Sequence, residues 1–372
     1  MSSIRELNSL QQLDGLSDAW RELHAVTPSA SFFQSLEWLS AYWRHYGHTQ
    51  RLRVLLQERH GEIVGILPLV VRKERTQVGS LRFATYPLDY WGSFYGPLGE
   101  FPGTVLDECV AYLLAGPRDW DVLEPRWIGV ADGERDRVES ALVGAGLTPL
   151  CSVQDTTAVI ELPAAVETYW SSRTPKCSAN RRRWERRLQA QGVVRYERFR
   201  SDGDGNPRWD LFDQCLDVAE RSWQHGATGG TTMTHGAIAP FLHDVHEAAS
   251  ASGGVDVNLL YVNDLPIAFA YNYCYRGHVF GLRVGYDAEF HQAGAGALLC
   301  AMSIEDSILR GDWRYDLGPG GMEHKRHFMT HPLPMYRFSC YRTASLKQQL
   351  LRIKRSFDAR AAAALEAIES LA

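Results

Sequence analysis

The chain is 372 residues long and has no Cys-x-x-Cys pair. Its seven cysteines, at 109, 151, 177, 215, 274, 300 and 340, are an odd and scattered set. This argues against a disulfide framework and against a zinc site, and for reduced, structural thiols. No apolar run is long enough to cross a bilayer. The opening residues, Met1-Ser2-Ser3-Ile4-Arg5-Glu6-Leu7-Asn8, lack the apolar core of a secretion signal, so the expected location is the cytoplasm. With a net charge of −5 there is no general attraction to nucleic acid, and no DNA partner is expected. Metal ligation is poorly served as well. His324 and His327 have helical spacing but no third ligand, and Asp202-Gly203-Asp204-Gly205 lacks the closing glutamate of a calcium loop, so no metal is expected.

What is present is the composition of a globular protein, in a chain long for one core, so two domains or a doubled fold is the default. Ser35 should open an aromatic-rich helix containing Trp38, Tyr42 and Trp43. Residues 53–59 and 62–71, around His60-Gly61, read as a hairpin, with Pro68 predicting a bulge or strand end. Strands follow at about 80–85, 121–127 and 156–162, with helices at about 104–115 and 134–144. The plan then repeats. Residues 257–262 and 265–273 form a second hairpin around Asn263-Asp264, and Leu55 to Ile63 has the same spacing as Leu259 to Ile267. Helices are expected at 207–223 and 235–250, a small-residue loop at 223–232, short strands at 313–317 and 334–341, and a last helix from Leu346 with Leu350, Ile353, Phe357, Ala361, Leu365 and Ile368 on one face. The expected organisation is an N-terminal module, 1–163, a C-terminal module, 164–345, and a terminal amphipathic helix, 346–372.

Three stretches carry chemistry. Residues 285–311 read as a strand end, a glycine turn and a buried helix of about four turns. Gly294 and Gly296 stand at its first turn, where free N–H groups can hold a phosphate and a glycine lets it approach the backbone. The same pattern also fits a helix that merely begins at glycine. The second stretch, Arg173 to Arg200, holds ten basic residues against two acidic ones, a local balance of +8. Ser178-Ala179-Asn180 can cap a helix there whose buried stripe is Trp184 and Leu188, leaving Arg182, Arg183, Arg186 and Arg187 outward. That face is either solvated or meets an anion such as CoA phosphates, an acidic polymer or RNA. The third stretch, Gly311 to Phe328, sets Asp316 at a strand end before a glycine-rich turn, followed by Glu323, His324, Lys325, Arg326 and His327. A general base and an oxyanion donor can come from such a cluster, which also fits plain surface charge.

The ordered set Arg181-Arg182-Arg183-Trp184-Glu185-Arg186-Arg187-Leu188, Pro266-Ile267-Ala268, Gly285-Tyr286-Asp287, Gly294-Ala295-Gly296-Ala297-Leu298-Leu299, Asp316-Leu317-Gly318-Pro319-Gly320 and His324-Lys325-Arg326 resembles the CelD-type acetyltransferases of cellulose and exopolysaccharide biosynthesis. These belong to the GNAT superfamily and are similar to the doubled-GNAT Fem peptidyltransferases. The resemblance implies an α/β (α+β) fold of two tandem GNAT-like modules, each a mixed, mostly antiparallel sheet flanked by helices. It implies acetyl-CoA as co-substrate, held by His291, Gln292, Gly294, Ala295, Gly296 and Ala297, with His291 standing where GNAT proteins commonly have Gln or Arg. Asp316, His324 and Lys325 are then the expected catalytic groups, and Arg182, Arg186, Tyr273 and Tyr286 the substrate contacts. The acceptor would be a small molecule or a glycan or cell-envelope precursor, attacked directly without an acyl-enzyme. Two other readings stand beside this one: aminoacyl transfer from tRNA, as in the Fem-like relatives, and a catalytically silent GNAT-like binding module.

Overall fold

Long aliphatic runs broken by two-residue turns make antiparallel hairpins, and two such hairpins seed the two sheets of this protein. The structure is a computed structural model that describes residues 2–89, 92–222, 233–341 and 345–369. It has two units, Met1–Thr156 with Pro334–Ala372, and Thr157–Leu333.

The first unit contains β1 (Ser2–Leu7), α1 (Ser17–Val26), α2 (Leu36–Tyr46), β2 (Gln50–Arg59), β3 (Glu62–Thr76), β4 (Gly79–Thr85), α3 (Pro102–Ala115), β5 (Val122–Leu123), α4 (Glu134–Gly144) and the first part of β6 (Leu150–Glu161). Ser35 caps α2, accepting from the Trp38 N–H at 3.2 Å. Pro68 is neither at a bulge nor at a strand end: it pairs with Val54 inside β3, and the register shift falls at Gln57/Glu58 instead. The reason is local. The Ile66 N–H bonds to the Leu98 carbonyl at 3.0 Å, on the side away from β2, and pairing with β4 begins only at Val70. Residue 68 presents its nitrogen to that same side between the two contacts, where a missing N–H costs no ladder bond. The expected strand at 121–127 shrinks to the two residues of β5.

The second unit contains α5 (Val166–Ser171), α6 (Pro175–Gln189), β7 (Val194–Arg200), α7 (Trp209–Arg221), α8 (Ala239–Ala251), β8 (Val255–Val262), β9 (Leu265–Tyr275), β10 (His278–Tyr286), α9 (Ala295–Leu309), β11 (Arg314–Pro319) and the short α10 (Met322–Lys325). Helix α6 starts earlier than Ser178-Ala179-Asn180. Thr174 is its cap, accepting from the Cys177 N–H at 3.3 Å, and Pro175 takes the first helical position. Proline is preorganised there and has no N–H to waste. The chain then returns to the first unit through β12 (His331–Tyr341) and α11 (Leu346–Glu369). Residues 334–372 therefore complete the N-terminal unit, where the sequence pattern had suggested a module ending at 163.

Each unit carries a mixed, mostly antiparallel sheet flanked by helices. The first runs β1-β2-β3-β4-β5-β12, with β4–β5 its parallel pair; the second runs β6-β11-β10-β9-β8-β7, with β10–β11 its parallel pair. In both, the parallel strands are joined by a crossover helix, α3 or α9. Strand β8 is buried at every position, and α9 packs Leu298, Leu299 and Ala295 onto Leu260, Ile267 and Ala268, so this helix sits in the core of its unit.

Candidate functional site

The parallel ladder between β10 and β11 joins His278, Val279 and Phe280 to Arg314, Tyr315 and Asp316, and it ends there although β10 runs on to Tyr286. Gly281 marks the last close approach. A Cβ on it would lie 2.7 Å from the Asp316 carbonyl oxygen. Beyond it β10 shifts register against β9 between Gly281 and Arg283, and its other edge, residues 282–286, has no β11 partner. A strand edge with no neighbouring strand among the described residues is a template for another extended chain.

Helix α9 begins at the same end of β10. Its first intrahelical bond runs from the Leu298 N–H to the Gly294 carbonyl, 2.9 Å, so the N–H groups of Ala295, Gly296 and Ala297 precede the ladder. A Cβ on Gly296 would lie 2.8 Å from Tyr286, the last residue of β10, which sets the first turn of α9 directly on the strand end. The Tyr286 hydroxyl in turn pairs with His291 Nδ1 at 3.0 Å. Gly294 is fixed by a different neighbour. It caps α9 at φ +86°, and its Cβ would fall 2.2 Å from Cδ1 of Trp184 on α6. Both the left-handed backbone and the indole therefore require glycine at this position. Ala293 and Ala295 are buried, Gly294, Gly296 and Ala297 are half-buried, and His291 and Gln292 are exposed.

Helix α6 thus lies across the start of α9, and the structure sorts its charges. Arg181 pairs with Glu305 at 2.7 Å and Glu185 at 2.6 Å. Downstream, Arg195 pairs with Glu197, and Arg198 and Arg200 are spent on buried Asp256 and on Asp312. Arg173, Lys176, Arg182, Arg183, Arg186 and Arg187 form no ion pair among the described residues. Arg182, Arg183, Arg186 and Arg187 are exposed, as the spacing of Trp184 and Leu188 predicts. Arg187 donates to the Gln292 carbonyl at 3.0 Å. It therefore stands at the loop before α9, and Arg183, one turn back, shares its flank, while Arg182 and Arg186 point further round the helix.

At the mouth of the strand gap the three expected catalytic residues have different surroundings. Asp316 is 2% exposed; its Oδ1 accepts from the Thr157 hydroxyl and from the Gly318 N–H at 2.7 Å. Burial pushes its carboxyl up to about 6, against those hydrogen bonds and the charges of Lys325 and Arg314. Lys325 donates from Nζ to the carbonyls of Gly318, 2.8 Å, and Pro319, 3.0 Å, tying α10 to the turn after β11. His324, on the same short helix, is exposed. Tyr273 is fully buried on β9, on the face where Tyr271 bonds His246 at 2.9 Å. Arg283 stands at the β10 register shift, where burial lowers its guanidinium to about 10. Sequence reasoning set Arg187 on the basic face without singling it out, and it missed Thr157 and Gly281. Thr157 is 159 residues from Asp316, and no local pattern links them. The expected loop at 223–232 lies outside the described residues.

Residues 175–326 match the family Acetyltransf_6, an acetyltransferase (GNAT) domain. The whole match lies in the second unit, from α6 to α10. The chain is similar to the crystal structure of FemX, at 12% identity and a TM-score of 0.57, covering 94% of this chain and 99% of that one. It is also similar to a conserved protein of unknown function from Bacteroides thetaiotaomicron, at 13% identity and a TM-score of 0.55, over 92% and 100% of the two chains. A third likeness is to the C-terminal DUF2156 domain of a putative lysylphosphatidylglycerol synthetase from Agrobacterium fabrum, at 15% identity and a TM-score of 0.51, over 81% and 86%. At these identities the likeness carries the fold alone. No curated protein matches the chain.

Proposed function

Starting from an acetyltransferase (GNAT) domain at residues 175–326, we propose that the second unit transfers an acyl group from acyl-CoA to an amine or hydroxyl acceptor. The observation that carries this reading is the parting of β10 from β11 beyond Phe280–Asp316, at the end of β10 where α9 presents the N–H groups of Ala295, Gly296 and Ala297. A pyrophosphate is suited to the helix start, and the amide-bearing arm of CoA can lie along the open β10 edge, with its thioester directed into the gap. His291, Gln292 and the two glycines then form the phosphate loop, with Arg187 and Arg183 flanking it. Tyr286 orients the loop through His291, and Arg182, Arg186 and Tyr273 are left to the acceptor or to packing.

The acceptor lone pair attacks the thioester carbonyl carbon, an oxyanion forms, the C–S bond breaks and the thiolate takes up a proton. His324 is exposed and suited to accept the acceptor's proton. Buried Asp316 and Lys325 act as a pair: Lys325 holds the glycine turn, and Asp316 fixes it through Gly318. The resemblance to the CelD type suggests an acceptor from exopolysaccharide, cell-envelope or secondary metabolism. One observation favours a second donor, aminoacyl-tRNA. The six cations between Arg173 and Arg187 that lack a carboxylate partner among the described residues exceed what one pyrophosphate needs.

Calorimetric titration of acetyl-CoA into the wild type, Gly296→Glu and Gly296→Ala tests the reading. Micromolar binding that Gly296→Glu abolishes supports it, with Gly296→Ala controlling for displacement of Tyr286. No binding to the folded wild type sinks CoA as donor, and charged tRNA becomes the ligand to titrate.

A further inference from the structure

The terminal helix α11 has two faces of opposite use. Its inner face packs on the first unit: Leu351 joins Leu81, Phe83 and Val122, while Arg355 reaches Glu124, Ser339 at 3.1 Å and Tyr341 at 3.1 Å. The outer face carries Leu346, Leu350, Ile353 and Phe357, which are 76%, 49%, 52% and 64% exposed. Their spacing of four, three and four stacks them into one stripe. A single exposed leucine needs no explanation, whereas a continuous apolar stripe on a helix that is already anchored by its opposite face does.

The charges beside the stripe say what covers it. At 100° per residue Lys347 and Lys354 border it on one side, and Gln349 and Ser356 on the other. Over residues 345–358 Lys347, Arg352, Lys354 and Arg355 stand against a single acid, Asp358, on the lysine flank. An antiparallel second copy laid on this stripe would bring Lys347 and Lys354 of the two helices together, a like-charge contact, and a parallel one would set them against Gln349 and Ser356 with no carboxylate to pair. An anionic lipid surface accommodates both features, with the apolar side chains below the headgroups and the lysine stems reaching up to the phosphates. We infer that α11 is an interfacial helix that holds the protein on anionic phospholipid. No helix among the described residues is long and apolar enough to cross a membrane, so the association is peripheral. It does not depend on the acyl-transfer reading.

The test is cosedimentation of the full chain with vesicles of equal parts phosphatidylglycerol and phosphatidylcholine, and with phosphatidylcholine alone. The wild type should pellet with the anionic vesicles and sediment as a monomer without them. Ile353→Glu/Phe357→Glu should weaken partitioning by about tenfold or more, and Lys347→Gln/Lys354→Gln, or salt at about 0.5 M, by several-fold. All four side chains point away from the core or border it, so the melting temperature should hold in both variants. Absence of pelleting, or pelleting indifferent to Ile353→Glu/Phe357→Glu, overturns the inference. So does a dimer in sedimentation velocity that this variant converts to monomer.

Discussion

The two units place an acid beside the same crossover and treat it in opposite ways. Glu124 follows β5 and is fully buried; it accepts from Ser339 on β12 at 2.5 Å and from Arg126 at 2.7 Å, and it pairs with Arg355. Burial alone would raise its carboxyl, but Arg126 and Arg355 outweigh that and hold it at about 2. Asp316 on β11 likewise accepts from a hydroxyl of the neighbouring antiparallel strand, Thr157 on β6, but among the described residues no guanidinium bonds to it and burial wins, leaving it at about 6. The crossover helices differ in the same sense. Helix α9 opens on Ala295-Gly296-Ala297 with three N–H groups ahead of its ladder, whereas α3 opens on Pro102 and has two, those of Gly103 and Thr104. One unit has its acid locked in an ion network and a proline at its helix start. The other keeps an acid with a perturbed pKa beside an open strand edge, which is where functional groups tend to lie.

That contrast can be broken or sharpened by experiment. Glu124→Ala leaves Arg126 and Arg355 without their buried counter-charge and should cost about 3–5 kcal/mol in urea unfolding. Asp316→Asn keeps the Oδ1 acceptor and should cost under about 1 kcal/mol at pH 7. Equal losses would erase the distinction between the two acids. The helix starts come next. Gly294→Ala meets both φ +86° and the Trp184 indole, so a loss of about 2–4 kcal/mol is expected. Gly103→Ala in α3, whose Cβ would lie 3.5 Å from the nearest atom, Arg137 Cδ, should be neutral or gain about 0.5 kcal/mol.

The pH dependence should have opposite signs. Asp316 has a raised folded pKa, so its stabilisation is present below the unfolded value near 4 and is lost as pH rises through about 6, a term of at most ~3 kcal/mol. Glu124 has a lowered one, so its stabilisation is present above about 4.3 and is lost as pH falls towards about 2. Melting curves from pH 3 to 8 should therefore flatten towards neutral in Asp316→Asn and at the acid limb in Glu124→Gln. The smallest effect expected is at the surface. Arg187→Gln should weaken acyl-CoA binding by about three-fold, and less at high salt, because the charge is solvent-screened.

Much of this was legible in local pattern. Both hairpins, the start of α2 at Ser35, the buried α9 with its glycine pair and the inward Trp184 and Leu188 all follow from periodicity and turn chemistry, which act over a few residues. The terminal helix was legible too, but its apolar stripe faces solvent, because periodicity identifies a face without saying what it meets.

Other features depended on residues brought together from far along the chain. The cluster of ten basic residues looks uniform in sequence, yet Arg198 and Arg200 are consumed by Asp256, 58 and 56 residues away, while Arg182, Arg183, Arg186 and Arg187 have no ion-pair partner among the described residues. Gly294 reads as a phosphate-loop glycine and is held equally by an indole from α6. Likewise β12 belongs to the first unit because Cys340 and Tyr341 pair with Leu123 and Val122. Sequence alone determined the two hairpins, most of the long helices and the apolar face of each, since these depend on neighbours along the chain. Which charges stay free, which acid stays protonatable and where β10 parts from β11 were decided by tertiary structure, because desolvation and ion pairing depend on neighbours in space.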